Sequence, residues 1–263
     1  MPPLPIPDPA LPAFSLTFEE SRGTILFMKT FPLAFETLAE ACSLVLKHLY
    51  PAASPLPSIT AVSLHVRPFE GVAHTAAHIV RRAEDPMEGN HITAEIHFSS
   101  EYIASLPKRL GSDDVRLEIM GVLVHEMVHV WQCYMEDQQS DDDEPAEASE
   151  ASTKTPRPPH WIVEGVADYV RFRAGYPAKH WHRGAGGRLE DGYERTGFFL
   201  DWVEEKWAGF VFALNAAPHA DTVKRITGQE VETLWRSYQM ELGETTLVPA
   251  GVLPMPTHAP THP

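Results

Sequence analysis

The chain has 263 residues, 21 Lys plus Arg, 36 Asp plus Glu and a formal charge of −15. An apolar fraction of 43% is ordinary for a globular protein, and the length suits one full hydrophobic core. The charge argues against nucleic acid or anionic membrane as a main partner, and no apolar run approaches the roughly 18 residues of a membrane-spanning helix.

Residues 1–13 hold six prolines and residues 249–263 hold five. Residues 1–13 and 248–263 therefore read as disordered Pro-rich tails around one domain over residues 14–247. The first residues show no basic segment followed by an apolar one, so a cytoplasmic location is expected. Cys42 and Cys133 both lie in apolar helical patterns and read as buried thiols.

The spacing of Phe35, Leu38, Cys42, Val45 and Leu49 predicts a helix over residues 32–50. Strict alternation predicts strands over residues 59–67 and 92–98. A long helix follows at residues 113–135, with Ser112 able to cap it and Asp113 and Asp114 at its positive end. Its middle is apolar on nearly every side, so it should be buried all round. Residues 136–152 hold eight Asp and Glu, and residues 136–158 read as a flexible acidic insertion, a solvated spacer. A second buried helix is expected at residues 161–174, capped by Gly175. Further helices are expected at 193–215 and 229–241. The class is α+β, with a largely helical C-terminal half.

The long helix carries His125-Glu126-Met127-Val128-His129. Positions i and i+4 share a helix face, so both imidazoles can reach one metal ion. Neutral imidazole suits Zn²⁺, and Glu126 can touch a metal-bound water without binding the metal. A catalytic zinc needs a third protein ligand and an open fourth position. Glu164 is the leading candidate, a carboxylate within an apolar helix. Asp168, four residues on, shares its face and can accept the outer N–H of a ligand histidine, His125 first. The bland alternative pairs Glu164 and Asp168 with Arg171 or Arg173. His91, His97, His160, His180 and His182 are rival third ligands.

His125-Glu-Met-Val-His-Val-Trp-Gln132, Ile162-Val-Glu-Gly-Val-Ala-Asp-Tyr-Val-Arg171, Gly192-Tyr193-Glu-Arg-Thr196 and Thr227-Gly-Gln-Glu-Val-Glu-Thr-Leu-Trp235 resemble motifs of the plant basic secretory protein family, also described as peptidases of plants and bacteria. The resemblance spans about residues 58–242. It implies a zincin-like metallopeptidase domain, with a small mostly antiparallel or mixed sheet packed on the His-Glu-x-x-His helix. It also implies His125 and His129 as ligands and Glu126 as catalytic. The expected activity is zinc-dependent hydrolysis of peptide bonds in a peptide or protein substrate. Glu126 would be the general base and Tyr193 the oxyanion donor, with Tyr169 and His182 as alternatives and core packing of Tyr193 as the other reading. The strand at 92–98 would be an edge that pairs with extended substrate. Members are commonly secreted, which sets a secreted location beside the cytoplasmic one. The rival function is a catalytically inactive zinc-binding defence or interaction module. The sequence carries no reading of oligomeric state.

Overall fold

A computed structural model describes residues 11–52, 54–80, 91–132 and 158–247. The expected tails at 1–10 and 248–263, Cys133, and the acidic insertion as far as residue 157 lie outside the described residues.

Among the described residues, four strands form one mixed sheet: β1 (Ala13–Phe18), β2 (Ile59–Arg67), β3 (Ala73–Val80) and β4 (His91–Ser99). Their order is β1-β2-β4-β3. β1 and β4 both run parallel to β2, and β3 runs antiparallel to β4. The sheet is thus mixed and not mostly antiparallel. Two helices, α1 (Arg22–Thr30) and α2 (Ala34–Leu49), lie between β1 and β2 in the chain, and such a crossover returns the next strand parallel.

The edge of the sheet is a correction. β4 is interior, and β3 forms the edge where the strand at 92–98 was expected. β3 escaped the sequence reading because its inward positions, Ala73, Thr75 and Ala77, are small. They pair with Phe98, Ile96 and Ala94 on the inner face. Small residues there give no apolar alternation, but they let a helix lie close against the strand.

The inner face buries Val62, Leu64 and Val66 of β2 beside Ala94, Ile96 and Phe98 of β4. Covering a Val, Leu, Ile or Phe side chain stabilises by about 1.5–3 kcal/mol. Helix α3 (Ser100–Ser105) leads from β4 toward α4 (Ser112–Gln132). In α4, Ile119, Leu123, Val124, Met127 and Val128 are all fully buried, as the all-round apolar pattern demands. Trp131 is buried as well, with its ring edge-on to Tyr50.

Helix α5 (His160–Arg173) packs on α4, and α6 (Tyr193–Lys206) packs on α5. The helical stretch expected over 193–215 divides after Lys206. The Glu204 carboxylate accepts hydrogen bonds from the backbone N–H groups of Gly209 and Val211 at 2.7 and 2.8 Å. It thereby starts a separate helix, α7 (Phe210–Ala216). Helices α8 (Ala220–Thr227) and α9 (Val231–Leu247) complete the C-terminal half. Among the described residues, no helix is long and apolar enough to cross a membrane.

The other sheet face carries three imidazoles in one row. His97 on β4 stacks between His65 on β2 and His74 on β3, with ring centroids 4.8 and 4.7 Å away. Burial lowers the pKa of His97 below its ordinary 6.5, and His74, His65 and Arg67 lower it further by repulsion. The folded state therefore binds this proton more weakly than the unfolded state. Its contribution to stability is complete above pH 6.5 and is lost as the pH falls through the depressed value. We expect the melting temperature to drop between about pH 8 and about pH 5, and His97→Gln to reduce that drop. An unchanged drop in the variant would remove His97 as a source of the acid sensitivity.

Candidate metal centre

Two facing helix stripes build the centre. On α4, residues 118, 122, 125, 129 and 132 recur at intervals of four and three and line one cleft. On α5, residues 164, 168 and 171 do the same. His125, His129 and Glu164 each offer one ligand atom, all within 4.8 Å of one another. The two Nε2 atoms are 3.1 Å apart, and Glu164 Oε2 lies 3.2 Å from His125 Nε2 and 3.7 Å from His129 Nε2. Bonds of about 2.0–2.1 Å in a tetrahedron place ligand atoms about 3.3–3.4 Å apart, so this triangle has the size of one face of a zinc site.

The outer nitrogens face acceptors. His125 Nδ1 lies 2.6 Å from Asp168 Oδ1. His129 Nδ1 lies 2.8 Å from Gln132 Oε1, and the Gln132 amide nitrogen donates to the Val163 carbonyl at 3.0 Å. That second bond orients the amide so that its oxygen faces the histidine. With both Nδ1 atoms turned outward to acceptors, both Nε2 atoms point inward, where a bound cation would displace any proton and take their lone pairs.

Burial opposes a charged His125, but Asp168, Glu164 and Glu126 outweigh it and raise its pKa to about 10. Burial likewise opposes ionisation of Glu164, yet hydrogen bonds from His125 and His129 hold its carboxyl well below the usual range. The same concentration of negative charge that retains a proton here would favour a divalent cation.

Glu126 is 5% exposed and lines the cleft without joining the ligand triangle. Its Oε2 accepts a hydrogen bond from Thr75 Oγ1 at 2.7 Å. The β3–β4 register pairs Thr75 with Ile96 on the helix-facing side, whereas His74 pairs with His97 on the outer face.

Tyr193 follows Gly192 at the start of α6, and its own φ of 49° lies in the left-handed region. Side chains adopt that conformation only at a cost, and such strain gathers at functional sites. Tyr193 is not core: it is 45% exposed. Its ring lies nearly parallel to that of His125, with centroids 6.3 Å apart. Burial and then Glu164, Asp168 and Glu126 raise its pKa, so the hydroxyl stays a donor.

Of the rival residues, His91 and His97 sit on the sheet, and none of the five joins the ligand group. Tyr169 and His182 do not line the cleft. The bland pairing is overturned as well: Arg171 bonds Glu118 and Arg173 bonds Asp201. Sequence reasoning missed Thr75, Gln132 and the Glu118–Arg171 pair. Only Gln132 had a local signal, three residues beyond His129.

The family model described as peptidase of plants and bacteria matches residues 12–238. The chain belongs to this family. No curated protein and no solved structure matches it significantly. Membership in this peptidase family supports hydrolase chemistry and peptide or protein substrates, and the family match begins well before the motifs that first suggested it.

If the Asp168 carboxylate orients His125 for a metal, Asp168→Asn should weaken metal affinity by about 10–100-fold. Competition with a chromophoric chelator measures it. Wild-type affinity in the variant would show that the contact only packs the helices.

Proposed function

We propose that the chain is a zinc-dependent peptidase with a zincin-like fold, holding its ion through His125, His129 and Glu164. The observation that carries this reading is the ligand triangle beside a separate, buried Glu126. Two imidazoles and one carboxylate suit zinc. When bound, such a cation polarises the scissile carbonyl and lowers the pKa of a water toward about 7.

The chain's own residues then supply positioning and proton transfer. Asp168 and Gln132 hold the ligand imidazoles in one tautomer. Glu126 takes a proton from the attacking water and passes it to the leaving amine. Thr75 keeps the Glu126 carboxylate aimed into the cleft. Tyr193 donates its hydroxyl hydrogen to the oxyanion as the tetrahedral centre forms.

Residues 72–77, on and beside the edge strand β3, line the same cleft. An extended peptide can add to that edge through backbone hydrogen bonds, which places its scissile bond over the α4 stripe. The test is a mixed peptide library incubated with the wild-type protein and the Glu126→Gln variant, with metal content measured on both. Cleavage by the first alone, at equal metal content, is the expected result. Equal cleavage by both, or none by the wild type, would overturn the reading.

A further inference from the structure

The cleft encloses about 820 Å³ and extends past the ligand triangle along α4, through Val122 to Glu118. Seven residues of helix place Glu118 roughly 10 Å from His125, a span of about three residues of extended substrate. Glu118 and Arg171 line this far end. Both are buried, at 8% and 6% exposure, although both are charged side chains.

Each charge is already answered. Glu118 Oε2 accepts from Arg171 Nη2 at 2.9 Å, and Glu118 Oε1 accepts from the Tyr102 hydroxyl at 2.7 Å. Arg171 Nε donates to the Tyr176 carbonyl at 2.9 Å, and its guanidinium lies 4.7 Å from the centroid of the Trp181 ring. The backbone has made room for this arrangement. A Cβ on Gly121 would stand 2.5 Å from Arg171 Nε and 2.6 Å from the Tyr176 carbonyl oxygen. The neighbouring walls are Val122, Ala178 and Trp181.

We infer that this end of the cleft is a specificity subsite for an uncharged, apolar or aromatic substrate side chain, and that the Glu118–Arg171 pair excludes charged ones. The inference rests on the proposed peptidase reading and names the substrate class of that site. A lysine entering here is desolvated and finds a carboxylate whose two oxygens are both engaged. An aspartate finds a guanidinium already held by Glu118 and Tyr176. Either is desolvated against a pair whose opposite charges already offset each other, so little attraction repays its lost hydration, whereas an apolar side chain covers Val122 and Trp181 at no such cost. The pair thus rejects both signs of charge.

The experiment uses one parent peptide that the wild type cleaves, varied to Phe, Leu, Lys or Glu at each position flanking the scissile bond. At one position, wild-type kcat/KM should favour Phe and Leu over both Lys and Glu by at least about tenfold. Glu118→Gln leaves Arg171 without its carboxylate and should raise the Glu peptide relative to Phe by about tenfold or more. Arg171→Met leaves Glu118 unbalanced and should raise the Lys peptide instead. The double variant carries neither charge and should restore the wild-type order, which keeps the idea testable if a single variant folds poorly. Binding of the same peptides to metal-loaded Glu126→Gln protein should show the same ranking without turnover. Equal treatment of charged and apolar residues at every position, or variants that keep the wild-type order, would overturn the subsite while leaving the peptidase reading intact. Failure of the wild type to cleave any peptide would overturn both.

Discussion

Glu126→Gln is expected to lower kcat/KM for peptide cleavage by about 10²–10⁴-fold, the usual contribution of a positioned general acid–base group. The substitution is nearly isosteric. The amide oxygen can still accept from Thr75 Oγ1, which lies 2.7 Å from the native carboxylate, so the side chain keeps its place. What it loses is the ability to take a proton and return it. Because Glu126 stands outside the ligand triangle, metal content should stay at the wild-type level. The loss should fall mainly on kcat, since proton transfer belongs to the transition state and not to substrate binding. Steady-state kinetics with elemental analysis checks both parts. Activity within a few-fold of wild type would remove Glu126 from the chemistry, and loss of metal would recast it as a ligand or a structural support.

Glu164→Ala should have the larger effect on binding. It deletes one of three donors and leaves two imidazoles whose Nε2 atoms stand 3.1 Å apart. Metal affinity should fall by more than the about 10–100-fold typical of losing an outer hydrogen-bond partner, and activity should fall with it. Metal added to the wild type should raise its melting temperature, because the ion binds the folded state, and the variant should lose most of that rise. Calorimetric titration with Zn²⁺ and a thermal-shift series give the two readouts. A variant that binds Zn²⁺ as tightly as wild type would show that another residue completes the site. His160 would then be the first to examine, since its ring lies edge-on to Tyr193 with centroids 5.5 Å apart.

The two helix stripes share one architectural basis. α4 and α5 touch at successive levels through Gln132 and the Val163 carbonyl, His129 and Glu164, His125 and Asp168, and Glu118 and Arg171. The ligand triangle and the proposed subsite are therefore neighbouring turns of one helix pair, and a shift in helix register would disturb both.

What the sequence by itself determined is local. His125, Glu126 and His129 stand out because four residues of helix bring the first and last to one face, whatever the rest of the chain does. Glu164 and Asp168 stand out because ionisable groups within an apolar helix demand partners, and their shared face pointed Asp168 to His125, which lies 2.6 Å from it. The strands β2 and β4 were legible because both alternate against a buried face. The tertiary structure alone decided the sheet order, and with it the edge that faces the cleft. It alone brought Thr75 to Glu126 across 51 positions and Arg171 to Glu118 across 53. Such pairings depend on strand register and on how closely two helices approach, and short periodicities in the chain carry neither quantity.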